Sequence, residues 1–406
     1  MPIPADTWRW LTTGDGQQAL AAAPTELTAA SISRLRKRYS ADESHAIVEC
    51  AQARTKATRK LDSAWAGHLI ADTQGVEMAS SMYSSAYKAR RYRLLLGEDS
   101  TVGDLCCGIG ADSWGLVNQQ LRVVGVDQSE SRCVMFAHNL PQSEVICGDA
   151  LDDCPEIDAF HLDPARREGD RRSRNVDSFL PPVDVWRKLI SRVPSGAIKL
   201  NPGVNAGEIP DGELEVISEA GSLTQALLWT GVFEQHVRTA TRLYRDVAVS
   251  VSGVPERPDE QHDFEAFVGT LDPSLERAEL VGELLRLLGV SLVHPGTGLV
   301  TAAEPNFHAM VRWYRVLDVL PWNEKRVRVA LRAHDTGTVE VRTRAGLVNP
   351  DELQRRLRGT GERQDISVLI YRLGDRQVAV IAEQHNTKIS TGVETPMDIK
   401  GGDDES

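Results

Sequence analysis

The chain has 406 residues, enough for two or three ordinary domains. With 41% apolar and 26% charged residues it can bury real cores, which excludes a disordered chain. Mean hydropathy is −0.29, and no run nears the roughly 18 apolar residues of a membrane span, which excludes a membrane protein. The net charge of −12 repels polyanions overall, so contact with nucleic acid needs a local basic patch.

In chain order, residues 1–10 carry no basic start followed by an apolar stretch, so a cytoplasmic protein is expected. Residues 1–98 read as a helical region. Ser40 and Glu43 form a capping-box pattern ahead of a long periodic segment. In it Ile47, Cys50, Ala57, Leu61, Trp65 and Leu69 recur at helical spacing. A second helix is expected over 80–96, with Arg90, Arg91 and Arg93 suiting its C-terminal dipole.

From residue 99 to 255 short apolar runs alternate with helical patterns. Strands are expected at 101–106, 121–126, 144–147, 159–162 and 197–200, with further candidates at 214–217, 226–232 and 248–251. Strand and helix in alternation imply a doubly wound α/β sheet with helices on both faces, here with an antiparallel edge. Residues 256–320 read as a connecting helical segment, with a helix at 275–288. Residues 321–384 read as a small α+β module, with strands at 326–331, 338–343, 366–372 and 378–382 and a helix at 350–357. Residues 385–406 are polar and acidic, and disorder is expected there.

The six cysteines form no CxxC pair and have no histidine at zinc-finger spacing, so no metal site is expected. Cys106 and Cys107 read as small packing groups, His161 as a hydrogen-bonded core residue, and Trp8, Trp10, Trp313 and Trp322 as packing anchors.

The chemistry concentrates in Val102-Gly-Asp104-Leu-Cys106-Cys-Gly108-Ile-Gly110, where a strand ends in a glycine turn. Glycine permits positive φ and lets the backbone approach a ligand. Asp104 precedes the glycines, Asp127 ends the next strand, and Asp149 follows the third. Carboxylates at three successive strand ends face one crevice. Asp127 is placed for a ribose, Asp149 for an adenine amino group, and Asp104 for an amino-acid ammonium. That set describes S-adenosylmethionine better than NAD, whose fingerprint wants glycine where Ser113 stands.

The fourth strand ends in His161-Leu-Asp163-Pro164-Ala165-Arg166-Arg167. Here the chain resembles the class I S-adenosylmethionine-dependent methyltransferases with an (Asp/Asn/Ser)-Pro-Pro-aromatic motif, which methylate exocyclic or amide nitrogens. The resemblance implies a Rossmann-like sheet. It gives Asp163 and the Pro164 carbonyl the task of accepting the target N–H, and it adds Cys106, Gln128 and Ala150 to the cofactor's surroundings. Ala165 and Arg166 stand where that motif has its second proline and its aromatic ring. Asp-Pro-Ala-Arg is similar to a bacterial group related to the RNA cap guanine-N2 methyltransferases (trimethylguanosine synthases), which implies a THUMP-like module over 321–384.

Arg166, Arg167, Arg171 and Arg172, with Arg174, crowd the loop after Asp163 and could contact RNA phosphates. The expected activity is therefore methylation of an RNA base nitrogen. A non-catalytic RNA-binding protein and a small-molecule methyltransferase are the alternatives.

Overall fold

The computed structural model describes residues 2–23, 28–166, 179–344 and 346–385. The chain divides into two units, one of Met1–Pro258 with Asp272–Leu287 and one of Asp259–Leu271 with Leu288–Ser406.

The first unit begins with seven helices, α1 (Ala5–Thr12), α2 (Gly14–Ala21), α3 (Ala29–Leu35), α4 (Ala41–Ala57), α5 (Ser63–His68), α6 (Thr73–Met78) and α7 (Met82–Leu96). The capping box forms as read. Ser40 Oγ accepts the Glu43 N–H, and the Glu43 carboxylate accepts the Ser40 N–H. The long periodic segment is two helices, because Asp62 Oδ1 accepts the N–H groups of Ala64 and Trp65 and starts α5 afresh. Trp8, Leu11, Ile47, Cys50, Leu69 and Ile70 close a core between these helices.

The sheet of this unit has nine strands. They are β1 (Thr101–Leu105), β2 (Arg122–Asp127), β3 (Glu144–Cys147), β4 (Ala159–Leu162), β7 (Gly196–Leu200), β8 (Glu213–Glu219), β9 (Ser222–Thr230), β10 (Arg238–Tyr244) and β11 (Val247–Gly253), while β5 (Ala165–Arg166) and β6 (Phe179–Leu180) form a separate short pair. The order is β11-β10-β8-β9-β7-β4-β1-β2-β3. β3, β2, β1, β4 and β7 run parallel, and β9 runs against its neighbours β7 and β8. The expected doubly wound α/β sheet is thus present, with the strand expected at 248–251 as its edge β11 and β10 added between it and β8. The crossovers carry α8 (Ala111–Asn118), α9 (Glu130–Asn139) and α10 (Val183–Arg192).

Helix α7 packs across the sheet. The Tyr92 hydroxyl donates to the Phe160 carbonyl at 2.6 Å, and its ring meets Trp229 and Phe233. Arg91 does more than complement a helix dipole. Its guanidinium lies over the Trp229 ring, 2.5 Å from Glu213 and 3.7 Å from Glu215, and both acids are fully buried.

Residues 256–320 depart from the helical connection expected. The helix over 275–288 is two short ones, α11 (Pro273–Arg277) and α12 (Val281–Leu288), interrupted where Glu279 adopts φ +61°. The rest of the segment supplies β12 (Phe267–Leu271), β13 (Ser291–Leu292), β14 (Leu299–Ala302) and β15 (Val311–Pro321) to the second unit's sheet. With β16 (Val339–Thr343), β17 (Ile366–Leu373) and β18 (Arg376–Gln384) they form seven strands in the order β13-β14-β12-β15-β18-β17-β16. The strand expected at 326–331 is instead part of α13 (Glu324–Ala333), N-capped by Asn323 with Val327 and Leu331 buried. It and α14 (Pro350–Leu357) share a core with Val339, Val341, Ile366 and Val368.

Candidate active site

The site is assembled at the C-terminal ends of β1, β2, β3 and β4, where side chains from neighbouring strands face one crevice. Beyond β1 the chain turns sharply. Cys106, Gly108 and Gly110 have φ of +63°, +57° and +86°. A Cβ on Gly110 would lie 2.7 Å from Leu140 Cδ1, whereas one on Gly108 would meet nothing within 4 Å. Gly108 therefore presents bare backbone to open space, a cradle for a ligand.

The Gly108 N–H donates to Asp127 Oδ2 and the Ser129 N–H to Oδ1, each at 2.9 Å. Burial raises the Asp127 carboxyl above its ordinary value, against the pull of these two donors. Asp149, at the turn after β3, accepts the Leu151 and Asp152 N–H groups on Oδ1 and the Gln128 amide on Oδ2 at 2.6 Å. The Leu151 N–H is the chief cause of its lowered pKa. Asp127, Gln128, Asp149 and Ala150 line a cavity of about 550 Å³ together with Cys106, Gly108 and Asp163.

Asp104 is placed differently from the expectation. It lines the cavity floor but is 1% exposed. Its Oδ2 accepts the Ser113 hydroxyl at 2.5 Å and its Oδ1 lies 3.0 Å from His161 Nδ1. Buried to this degree, Asp104 holds the floor rather than offering an open carboxylate to an ammonium group. Ser113, which stands where a dinucleotide fingerprint has glycine, is one of the two groups that occupy it.

Below the floor runs a chain of charge. The Lys88 ammonium lies 3.4 Å from His161 Nε2, and His161 Nδ1 lies 3.0 Å from Asp104 Oδ1. Lys88 also lies 2.5 Å from Asp112 Oδ1 and donates to Ser80 Oγ at 3.0 Å, while Ser80 Oγ donates to Asp112 Oδ2 at 2.9 Å. Asp112 Oδ2 is 3.9 Å from Lys199 Nζ. Burial works against the Asp112 charge, yet Lys88, His161 and Lys199 outweigh it and hold this carboxyl well below the ordinary range. Ions so deeply placed persist only because each is paired.

The chain ends at the cavity wall. Asp163 N–H donates to the Leu105 carbonyl at 3.1 Å, which anchors the residue beside β1. Lys199 Nζ donates to Asp163 Oδ2 at 2.7 Å, and the Asp163 side chain keeps 32% of its surface exposed. Burial pulls the Lys199 pKa down, but Asp163 and Asp112 together raise it above its ordinary value. Pro164 is buried and Ala165 exposed. The short β5–β6 pair sets Ala165 opposite Leu180 and Arg166 opposite Phe179. Arg167, Arg171, Arg172 and Arg174 lie outside the described residues.

Burial, reinforced by neighbouring aspartates, pushes the Cys106 and Cys107 thiols far above their ordinary value. Neither is a thiolate at neutral pH, in keeping with a packing role. Sequence reasoning missed Lys88, Lys199, and the wall contributed by Gly75, Met78 and Ala79 around α6. The one available signal was Lys199 itself, a lysine inside the otherwise apolar strand β7. Among the described residues no group of three or more metal-ligating side chains is gathered, and no helix is long and apolar enough to cross a membrane.

Residues 311–384 match a THUMP domain-like family, and residues 4–57 match a domain of unknown function, DUF8688. The chain is 28% identical over 317 residues to an uncharacterized S-adenosylmethionine-dependent methyltransferase found in two strains of Mycobacterium tuberculosis. The match covers 74% of this chain and 84% of the relative. A crystal structure from Porphyromonas gingivalis, described as that of a methyltransferase, superposes with a TM-score of 0.73 at 17% identity. It covers 95% of this chain and all of that one, so the likeness of fold extends over both units.

Proposed function

We propose that this S-adenosylmethionine-dependent methyltransferase transfers its methyl group to a base nitrogen of RNA. The observation that carries the reading is the Asp163–Lys199 pair at the wall of the crevice, with Asp163 Oδ2 held by Lys199 and part of the carboxylate exposed. The residues present fit the cofactor. The bare backbone of Gly108 and the carboxylates at the ends of β2 and β3 share one cavity within the range of small-molecule sites.

Asp127 holds the ribose hydroxyls through the lone pairs its backbone donors leave free, and Asp149 receives the adenine amino group. Cys106, Gln128 and Ala150 line the same wall. When bound there, the cofactor supplies an electrophilic methyl on a sulfonium. Asp163 accepts the acceptor's N–H and, with the Pro164 carbonyl, aims the nitrogen lone pair. Lys199 keeps the carboxylate from swinging away. Asp163 would take up the proton that the acceptor nitrogen loses on methylation. Orientation supplies most of the rate, because a sulfonium needs little further activation.

RNA is favoured by the arginines between Arg166 and Arg174, which follow Asp163 closely in the sequence. The likeness of Asp163–Ala165 to the RNA cap guanine-N2 group directs the proposal to an exocyclic amine. In the second unit, Arg342 pairs with Glu340 and Arg356 with Glu324 and Glu352. A partly exposed Asp163 at the cofactor cavity speaks against a non-catalytic protein.

Nucleoside mass spectrometry of RNA from cells lacking the chain tests the proposal. One methylated nucleoside should vanish, returning with the wild-type chain and not with Asp163→Ala. An unchanged nucleoside profile contradicts it.

A further inference from the structure

A second cavity of about 510 Å³ adjoins the first. The two share Met78 and Ala79, and Lys199 stands in the wall of the second while its partner Asp163 lines the first. The Asp163–Lys199 pair is thus the partition between them. The second cavity lies where β8 ends and β9 begins, beside Glu219, Thr224 and Gln225, on the far side of β7 from the cofactor crevice. A group lodged there would reach Asp163 from the side opposite the strand ends that carry Asp127 and Asp149.

We propose that this second cavity binds the phosphorylated nucleotide bearing the methyl acceptor, with Lys60 and Arg59 on its phosphate. The proposal rests on the reading of RNA as substrate and names the site that would receive it.

The electrostatics of the wall favour an oxyanion. Its two acids are already engaged, Glu77 by Lys56 and Glu219 by the Ser81 hydroxyl, the latter at 2.7 Å. Of its three cations, Lys199 is paired with Asp163, and Arg59 and Lys60 are less engaged. Arg59 is exposed and makes no ion pair among the described residues. Lys60 Nζ donates to the carbonyls of Val76 and Glu77 at 3.1 and 2.7 Å, which leaves its third N–H for a ligand. Burial first, and then the like charge of Lys199, push the Lys60 ammonium down to about 8. Arg59 lines the same cavity beside Lys60, and a phosphate held by both would form charge-assisted hydrogen bonds to each.

The remaining wall suits a nucleoside. Tyr83, Met78 and Met82 present apolar and aromatic surface, and Ser84, Thr224 and Gln225 carry hydrogen-bonding groups.

The test is calorimetric titration of the full chain with the four ribonucleoside 5′-monophosphates and the four corresponding nucleosides, with S-adenosylhomocysteine titrated in parallel. At least one monophosphate should bind about tenfold tighter than its nucleoside, the worth of one charge-assisted contact. Lys60→Met should abolish that preference, Lys60→Arg should keep it, and Arg59→Ala, at an exposed side chain, should weaken it even if Lys60→Met proves unstable. S-adenosylhomocysteine should bind all of them as it binds the wild type. The proposal is overturned if every monophosphate and its nucleoside bind alike, or if the preference survives Lys60→Met unchanged. A chain that keeps the Lys60-dependent preference but does not bind S-adenosylhomocysteine would instead overturn the enzyme reading and leave the nucleotide cavity standing.

Discussion

Lys199 Nζ and Asp163 Oδ2 stand 2.7 Å apart, joining the end of β7 to the end of β4 across the wall of the cofactor cavity. Through Asp112, 3.9 Å from the same ammonium, the pair is continuous with buried Lys88 and, through it, with His161 and Asp104. In the proposed reaction this pair holds Asp163 rigid at the acceptor.

Lys199→Met should therefore lower turnover by about 100-fold while S-adenosylhomocysteine affinity stays within about twofold of wild type. Lys199→Arg should recover part of the loss. Steady-state kinetics beside calorimetry separates the two effects, and a matching loss of cofactor affinity would show that Lys199 merely supports the crevice.

The buried charge chain makes stability depend on acid. The folded Asp112 carboxyl lies below its ordinary value of 3.8, so its contribution is complete above that pH and is lost as pH falls through the folded value. Asp112→Asn leaves Lys88 buried without a full counter-charge and should cost about 3–5 kcal/mol at pH 7. The difference between variant and wild type should shrink below pH 4. Denaturant melts from pH 7 to pH 3 measure it, and a constant difference across that range would contradict the assignment.

Much of this arrangement was legible before any coordinates. Ser40 and Glu43 announced a helix start, the glycines after β1 announced positive φ, and the aspartates at 104, 127, 149 and 163 announced strand ends. These signals are local, carried by a few residues whose backbone chemistry allows one solution. Arg326–Leu331 misled because Arg-Val-Arg-Val alternates with period two. Asn323 as cap and Val327 with Leu331 on one helical face decide otherwise. Lys88 and Lys199 gave almost no signal, since a lysine's partner is set by packing between elements far apart in sequence. Asp104 was read as a ligand group because its position at a strand end is visible and the hydroxyl of Ser113, folding back onto it, is not.

Asp127→Ala should weaken S-adenosylmethionine binding by about 1.5–3 kcal/mol, the range for hydrogen bonds to a charged group. Circular dichroism should remain native. Unchanged affinity in a calorimetric titration would place the ribose elsewhere.

RNA binding should weaken with salt, with a slope of about −0.7 per phosphate contact on a single strand. Arg171→Ala with Arg172→Ala should flatten that slope by about one to two units and leave cofactor affinity alone. Filter binding across a salt series reads the slope, and an identical slope in the double variant would remove these arginines from the contact surface.

The most direct measurement is transfer of labelled methyl from S-adenosylmethionine to bulk RNA by the purified full chain and by Asp163→Ala, with cofactor affinity determined for both. The account predicts label in RNA from the wild type, and almost none from Asp163→Ala, at nearly equal cofactor affinity. Transfer by Asp163→Ala at the wild-type rate would contradict it.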